Sequence, residues 1–477
     1  MSNQYVLNKD YELCGWEGIP FGLRLPSQKV SFFNKEEYRI VYACDGRHDI
    51  DEDSLTEKQK RIFDELKKKA IRPAENGETI TEDQEYRKYL GTYKDHVQWS
   101  ITGRCNYKCR HCFMSAPHYC GKDFTKEQCI HILDEMEKCG IRNVSLTGGE
   151  TLVFENLIPL LIEMRKRKMV CPVIYSNGAL ITEKLLDDLR ACGFRPDFHI
   201  SFDGVGWHDW LRGIPGAEDA AIRAFRLCKE KGFSTSTSMC LHRHNISSLG
   251  ATFDLLASLG CEHIKMNVAS PAGEWANETE HFISWGEAYE AILDYLPKFI
   301  AEGKKISAQF CLILEYDKKS DHWRVPVERY PNREESLGCA SCGAMRSGMY
   351  IGPTGKVLPC MSIGGTEAEK DFPSIFETPL AEILSDSAYY QKACKVKVGA
   401  CVEHNEKCRE CEHRFVCGGG CRAQACAAHG DFLGIDEETC YVFKSGYFDR
   451  CAKMVREMNP QKPKNDSEAE KPAEVTC

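Results

Sequence analysis

Between residues 96 and 305 the chain switches regularly between two hydrophobic rhythms. Short apolar stretches bounded by polar or glycine-containing turns occur at 96–102, 143–147, 170–176, 198–202, 234–241 and 263–268, and these predict strands. Between and after them run helix-period patterns at 126–139, 156–168, 183–191, 218–231, 246–259 and 285–301. Strand–helix units repeated in this way predict a parallel sheet with right-handed crossovers, closed as a barrel or left open. In either form, reactive groups belong at the C-terminal ends of the strands.

The flanks read differently. Residues 1–95 hold apolar stretches at 5–7, 29–33 and 38–43 that predict short strands. A charged segment follows in which Ser54 or Thr56 caps a helix carrying Ile62, Phe63 and Leu66 on one face. Strands with a helix predict a small α+β or winged-helix-like module. Residues 72–85 are polar and read as a linker. From 321 to 456 the strand–helix rhythm stops while cysteine and glycine density rises, which predicts a loop-rich domain stapled by metal. Residues 457–477 have almost no apolar content and are expected to be disordered. No repeat of fixed period is present. The expected organisation is therefore 1–95, 96–320, 321–456 and a 457–477 tail.

Composition narrows the class. The chain has 477 residues, 42% hydrophobic and 28% charged, as expected of a soluble multidomain protein. No run of about 18 uncharged apolar residues occurs, so no transmembrane helix and no membrane partner are expected. The N-terminus has no basic patch followed by an apolar stretch, which predicts no secretory signal and a cytoplasmic location. A formal charge of −9 argues against a general nucleic-acid binder. The 27 cysteines are an odd number, and disulfides are rare in a reducing compartment. Many are expected to be small buried hydrophobes, and spacing must identify those that hold metal.

Three constellations carry chemistry. In RCNYKCRHCF, directly after the first strand, Cys105, Cys109 and Cys112 are three and then two residues apart. Such a loop can wrap three thiolates around one face of a cubane cluster and leave one iron open, whereas zinc would want a fourth protein ligand. At the end of the second strand, SLTGGET brings Gly148 and Gly149, whose lack of Cβ allows close backbone approach to a ligand, and Glu150, which can accept from an ammonium group. After the third and fourth strands come Ser176 and Asn177, then Ser201 and Asp203, with Arg212 beyond. Hydroxyls, an amide and a carboxylate suit ribose, and an arginine suits a carboxylate. The third constellation is Cys408, Cys411, Cys417 and Cys421, separated by two, five and three residues, with Cys440 downstream and Cys342, Gly355 and Cys360 upstream. Chance yields the four-cysteine run in only about one of 200 such chains, so it is read as a metal-binding pattern, with structural zinc as the plainest alternative.

In order and interval, CNYKCRHC, TGGE, YSNG and SFDG resemble the radical S-adenosylmethionine (SAM) superfamily over about 96–305. The resemblance implies a partial (β/α)6 TIM-like barrel. It implies that Cys105, Cys109 and Cys112 ligate a [4Fe–4S] cluster whose fourth iron binds SAM, and that Glu150 holds the SAM amine. Ser201 and Arg212 would hold the ribose and carboxylate side, and the backbone beside Phe113 the adenine. Two departures are Thr151, where proline often follows the glutamate, and His111, where an aromatic ring usually precedes the third cysteine.

The C-terminal pattern looks like the SPASM extension of that superfamily, with two auxiliary [4Fe–4S] clusters. By resemblance Cys342, Cys360 and Cys421 ligate the first, with Cys339 as a candidate fourth ligand at an unusually short spacing. Cys408, Cys411, Cys417 and Cys440 would ligate the second, and Cys401 and Cys426 are spare candidates. Residues 1–95 resemble the leader-binding domain of peptide-modifying enzymes, the RiPP recognition element, where a leader peptide adds as a strand to a sheet edge. Met361 stands where sulfatase-maturing relatives carry a catalytic aspartate. The resemblance therefore implies a peptide maturase of the sactipeptide and ranthipeptide kind. Such an enzyme generates a 5′-deoxyadenosyl radical and oxidatively crosslinks a ribosomally made precursor, here as a cysteine thioether, with electrons from a flavodoxin or ferredoxin. Carbon–carbon crosslinking, epimerisation, formylglycine formation on sulfatases and a zinc-stabilised binding protein are the alternatives.

Overall fold

The structure, a computed structural model, describes residues 3–75, 77–269 and 273–459. All but the first three residues of the expected disordered tail lie outside the described residues.

In the N-terminal module, β1 (Gln4–Leu7) is flanked antiparallel by β5 (Asp45–Asp49) and β6 (Ile71–Pro73). A second sheet has the order β4 (Val30–Phe32), β3 (Ile19–Arg24), β2 (Glu12–Trp16), β7 (Arg87–Lys88). Helices α1 (Lys35–Ala43) and α2 (Glu57–Lys69) bury Ile40, Val41, Phe63 and Leu66 against Val6 and Leu7. The expected strand at 38–43 is thus part of α1. The Asn34 side chain accepts from the Glu37 N–H (2.9 Å), and the Glu37 carboxylate accepts from the Asn34 N–H (3.0 Å). That capping box starts a helix one turn before the apolar run. The expected linker is also tied down: buried Gln84 donates to the carbonyls of Asn8 (2.9 Å) and Tyr11 (3.1 Å). The module docks on the turn between the first barrel helix and the second barrel strand, where the Trp16 indole donates to Cys139 O (2.8 Å) and Arg24 to Gly140 O (2.9 Å).

The central sheet begins with β8 (His96–Ser100), β9 (Val144–Thr147), β10 (Val173–Ser176), β11 (Asp197–Ile200), β12 (Thr235–Leu241) and β13 (His263–Val268). These are the six expected strands, all parallel and paired in chain order. A seventh parallel strand, β14 (Ser307–Phe310), follows β13, and antiparallel β15 (Leu314–Asp317) and β16 (His322–Arg324) end that side. On the other side β17 (Gly348–Ile351) pairs parallel to β8 and carries β18 (Val357–Leu358). The order runs from β16 to β18 without closing, so the barrel is partial.

The crossover helices α3 (Lys126–Lys138), α4 (Leu157–Lys166) and α5 (Glu183–Ala191) cover the outer face, as do the later helices α7 (Ala217–Glu230), α8 (Leu249–Leu259) and α9 (Trp285–Ala301). A short α6 (His208–Arg212) precedes α7. Val97, Trp99, Leu146, Ile174, Phe198, Ile264 and Phe310 point into this helical layer and are fully buried. The alternate positions Gln98, Tyr175, His199, Ser236 and Ser238 face the lumen and are only half-buried. They bond to one another there: Gln98 to Tyr175 OH (3.0 Å), and His199 to Ser236 (2.9 Å) and Ser238 (2.8 Å). One face of the sheet is core, and the other is a polar cavity wall.

The C-terminal region is less loop-rich than expected. It consists largely of short helices, and Leu380, Ile383, Tyr389, Val416 and Val442 join the barrel's own core. Among the described residues no helix is long and apolar enough to cross a membrane.

Candidate functional site

The chain leaves β8 through Thr102 and enters the cysteine loop beside the TGGE segment. Gly149 N–H bonds to Thr102 O (3.0 Å) and Glu150 N–H to Arg104 O (2.9 Å). A Cβ on Gly148 would lie 2.7 Å from Thr102 O, and one on Gly149 2.4 Å from Arg104 O. The close approach that the glycines permit is therefore to the cysteine loop's own backbone. Thr151 is buried, and its hydroxyl donates to Tyr175 O (2.7 Å), so threonine joins β9 to β10 where proline would offer no donor.

Cys105, Cys109 and Cys112 are free thiols close enough to raise one another's pKa. Each sulfur has a donor: Tyr107 N–H to Cys105 (3.4 Å), Arg212 to Cys109 (3.8 Å) and Ala116 N–H to Cys112 (3.3 Å). Burial pushes the Cys105 thiol up to about 12 and raises the other two. Such sulfurs ionise only when a metal holds them, and N–H···S bonds are what cluster thiolates accept. The set fits three corners of an iron–sulfur cube.

Glu150 is buried, and burial raises its pKa. One carboxylate oxygen accepts from Ser176 Oγ (2.9 Å) and Leu152 N–H (2.9 Å), the other from Asn177 N–H (2.7 Å). Asn177 in turn donates to Asn106 within the cysteine loop (2.8 Å). Ser176 and Asn177 thus hold Glu150 rather than facing the cavity alone. Ser201 continues the rim through its N–H bond to Ser176 O (3.0 Å).

Asp203 was expected at a ribose and is instead fully buried beneath Arg212. It accepts from Arg212 Nε (2.6 Å) and Cys240 N–H (3.0 Å) and lies 3.3 Å from His208 Nδ1. Burial alone would raise its pKa, but the Arg212 guanidinium and His208 outweigh it and hold the carboxyl below the usual range. Asp203 aims Arg212 at the cysteine loop. Phe113 is half-buried; its backbone is approached by Gly273, while Glu274 N–H bonds to Cys112 O (3.0 Å). Burial lowers His111 to about 4, its Nδ1 is shut off from solvent without a partner, and it converges with Asp203 and Cys240.

Asn106, His208 and Cys240 also belong to the site, outside the motifs that mark the other residues. His208 and Arg212 are four apart on one helix, and Cys240 ends the lumen-facing series begun by Ser236 and Ser238; both signals were present.

The C-terminal cysteines form two further groups. Cys342, Cys360 and Cys421 face one another. Cys339 is buried and packs against Val398 and Val402. Cys408, Cys411, Cys417 and Cys440 line one pocket with Val402, His413 and Phe443. Between the groups the Arg329 guanidinium faces Cys421, Asp436, Cys342 and Cys417. Asp436 accepts from Cys421 N–H (2.7 Å) and caps the helix bearing Cys440. Two linked thiol sets with an embedded cation suit anionic clusters.

Residues 99–256 match the radical SAM superfamily, and residues 342–412 match the SPASM iron–sulfur cluster-binding domain. Among curated proteins the chain is 25% identical over 360 residues to an AdoMet-dependent heme synthase of Methanosarcina barkeri, covering 73% of this chain and 97% of that one. It is 26% identical over 345 residues to the PqqA peptide cyclase of Granulibacter bethesdensis, covering 71% and 85%. Among solved structures, Streptococcus suis SuiB bound to the precursor peptide SuiA aligns with a TM-score of 0.62 and 15% identity, covering 92% of this chain and all of that one.

Proposed function

For a chain that belongs to the radical SAM superfamily and carries an SPASM domain, we propose a peptide maturase that crosslinks a ribosomally made precursor, most simply as a cysteine thioether. The chain's cofactors are SAM and multiple [4Fe–4S] clusters; when bound and reduced, they supply a carbon radical able to take hydrogen from an unactivated carbon. The protein's task is positioning. Cys105, Cys109 and Cys112 hold the cluster, Glu150 receives the SAM ammonium, Arg212 and Ser201 face the carboxylate and ribose, and Gly148, Gly149 and Phe113 shape the backbone around them. Cys342, Cys360 and Cys421 hold one auxiliary cluster, and Cys408, Cys411, Cys417 and Cys440 the other. Thioether formation removes one hydrogen atom from carbon, one proton from the cysteine S–H and one electron; an auxiliary cluster, held by Cys342, Cys360 and Cys421 or by Cys408, Cys411, Cys417 and Cys440, would supply the electron acceptor. Flavodoxin or ferredoxin is the proposed reductant.

The observation that carries this reading is the N-terminal module. Its β4 is a sheet edge, and Phe32 on that strand is exposed beside the Trp16 and Tyr93 rings. An extended leader can add there as a strand with its apolar side chains on the aromatic rings. The likeness to SuiB, captured with its precursor, spans 92% of the chain. A tetrapyrrole substrate is the second reading, favoured by the heme synthase likeness.

The test incubates anaerobically reconstituted protein with a cysteine-rich precursor peptide encoded beside its gene, and separately with an iron coproporphyrin. The proposal expects peptide mass to fall by about 2 Da, two hydrogens, only when residues 1–95 are present. A changed tetrapyrrole with unchanged peptide overturns it.

A further inference from the structure

A second reactive pair lies at the opposite end of β8 from the cysteine loop. Lys94, two residues before that strand, is 1% exposed. Its ammonium group donates to Arg346 O (2.7 Å) and Met345 O (3.1 Å), is 3.6 Å from Cys394 Sγ, and lies over the Tyr389 ring at 4.9 Å. Two carbonyls, a thiol and a ring surround this lysine, with no carboxylate among the partners. A buried lysine without an anion is costly as a cation, and burial lowers its pKa to about 8. An appreciable fraction is therefore the neutral, nucleophilic amine. Cys394 is a half-buried free thiol within the turn Gln391–Lys395, so a small oxidant can reach it.

We propose that Lys94 and Cys394 are a redox-modification site that closes to a covalent Nζ–O–Sγ bridge on exposure to dioxygen. The balance is Lys–NH2 + Cys–SH + O2 → Lys–NH–O–S–Cys + H2O. The N–H and S–H bonds are broken, one oxygen atom is inserted between nitrogen and sulfur, and the other leaves as water with the two hydrogens. The bridge fastens the segment that enters the first barrel strand to the turn Gln391–Lys395, beside the helix Gly343–Ser347 whose carbonyls Lys94 holds. It is independent of the substrate and of the cluster assignments.

The experiment compares protein purified anaerobically with the same preparation exposed to air, each acid-denatured, digested and mass-mapped. The expected result is a crosslinked pair of peptides carrying Lys94 and Cys394, about 14 Da heavier than their sum, released by dithiothreitol. Lys94→Arg and Cys394→Ser should each abolish it. Oxidation of Cys394 alone, by about 16 or 32 Da on an uncrosslinked peptide, or Cys394 still fully alkylated after air exposure, overturns the proposal. The wild-type map decides the question even where a variant fails to fold.

Discussion

The two cysteine-bearing regions solve opposite problems. At the barrel rim, Cys105, Cys109 and Cys112 come from one short loop, with Glu150 near Cys105 and Arg212 at Cys109, groups that recognise a ligand rather than a metal. In the C-terminal region, Cys408, Cys411, Cys417 and Cys440 line one pocket together with Val402 and Phe443. Three donors with a polar open side make a site where a small molecule can coordinate. Four donors behind apolar walls make a closed centre fit to carry electrons. The count of sulfurs and the character of the remaining wall set the role.

The comparison breaks most sharply at its ligands. Cys105→Ala should cut deoxyadenosine release from SAM by about 1,000-fold or more, about 4 kcal/mol, whereas Cys440→Ala should lower bound iron yet leave that release within a few-fold of wild type. Chromatographic quantification of deoxyadenosine beside iron and sulfide counts measures both, against about twelve irons for three full clusters. Next in size is Asp203→Asn, which strips a buried arginine of its anion and should destabilise the fold by about 3 kcal/mol, read as a Tm lowered by several degrees. Because the folded-state pKa of Asp203 is depressed, its contribution is complete above the unfolded carboxyl range and is lost only as pH falls through the folded value. The wild-type advantage over Asp203→Asn should thus be the same at pH 8 and pH 6. Glu150→Gln should weaken SAM binding about tenfold in equilibrium dialysis, the loss of one charge-assisted hydrogen bond, without changing iron content. Gly149→Ala, which puts a Cβ against Arg104 O, should have the smallest effect, a partial loss of the rim cluster alone. An intact rim cluster in that variant would show that the loop yields more readily than the geometry implies.

Legibility tracked distance along the chain. The strand–helix alternation from 96 to 305 was readable because each element shows its own period, and the bounds of α5 and α9 match expectation. The 38–43 segment misled because Ile40, Val41 and Tyr42 have strand-like composition, while the deciding signal, the Asn34–Glu37 capping box, lies just outside it. The lumen-facing series Gln98, Tyr175, His199, Ser236 and Ser238 was present as alternation, but its closure into a bonded polar wall needed the register between strands.

By itself the sequence determined which residues form strands and helices and which cysteines share a loop, because periodicity and short spacing act within a few residues. Only the tertiary structure decided that the glycine pair serves the cysteine loop, that Asp203 serves Arg212, that Arg329 lies between two thiol groups and that Lys94 meets Cys394. Those contacts join elements up to 300 residues apart, as Lys94 and Cys394 are. The physical reason is that burial and Coulomb interactions depend on distance in space, which packing of the whole chain sets and local pattern does not.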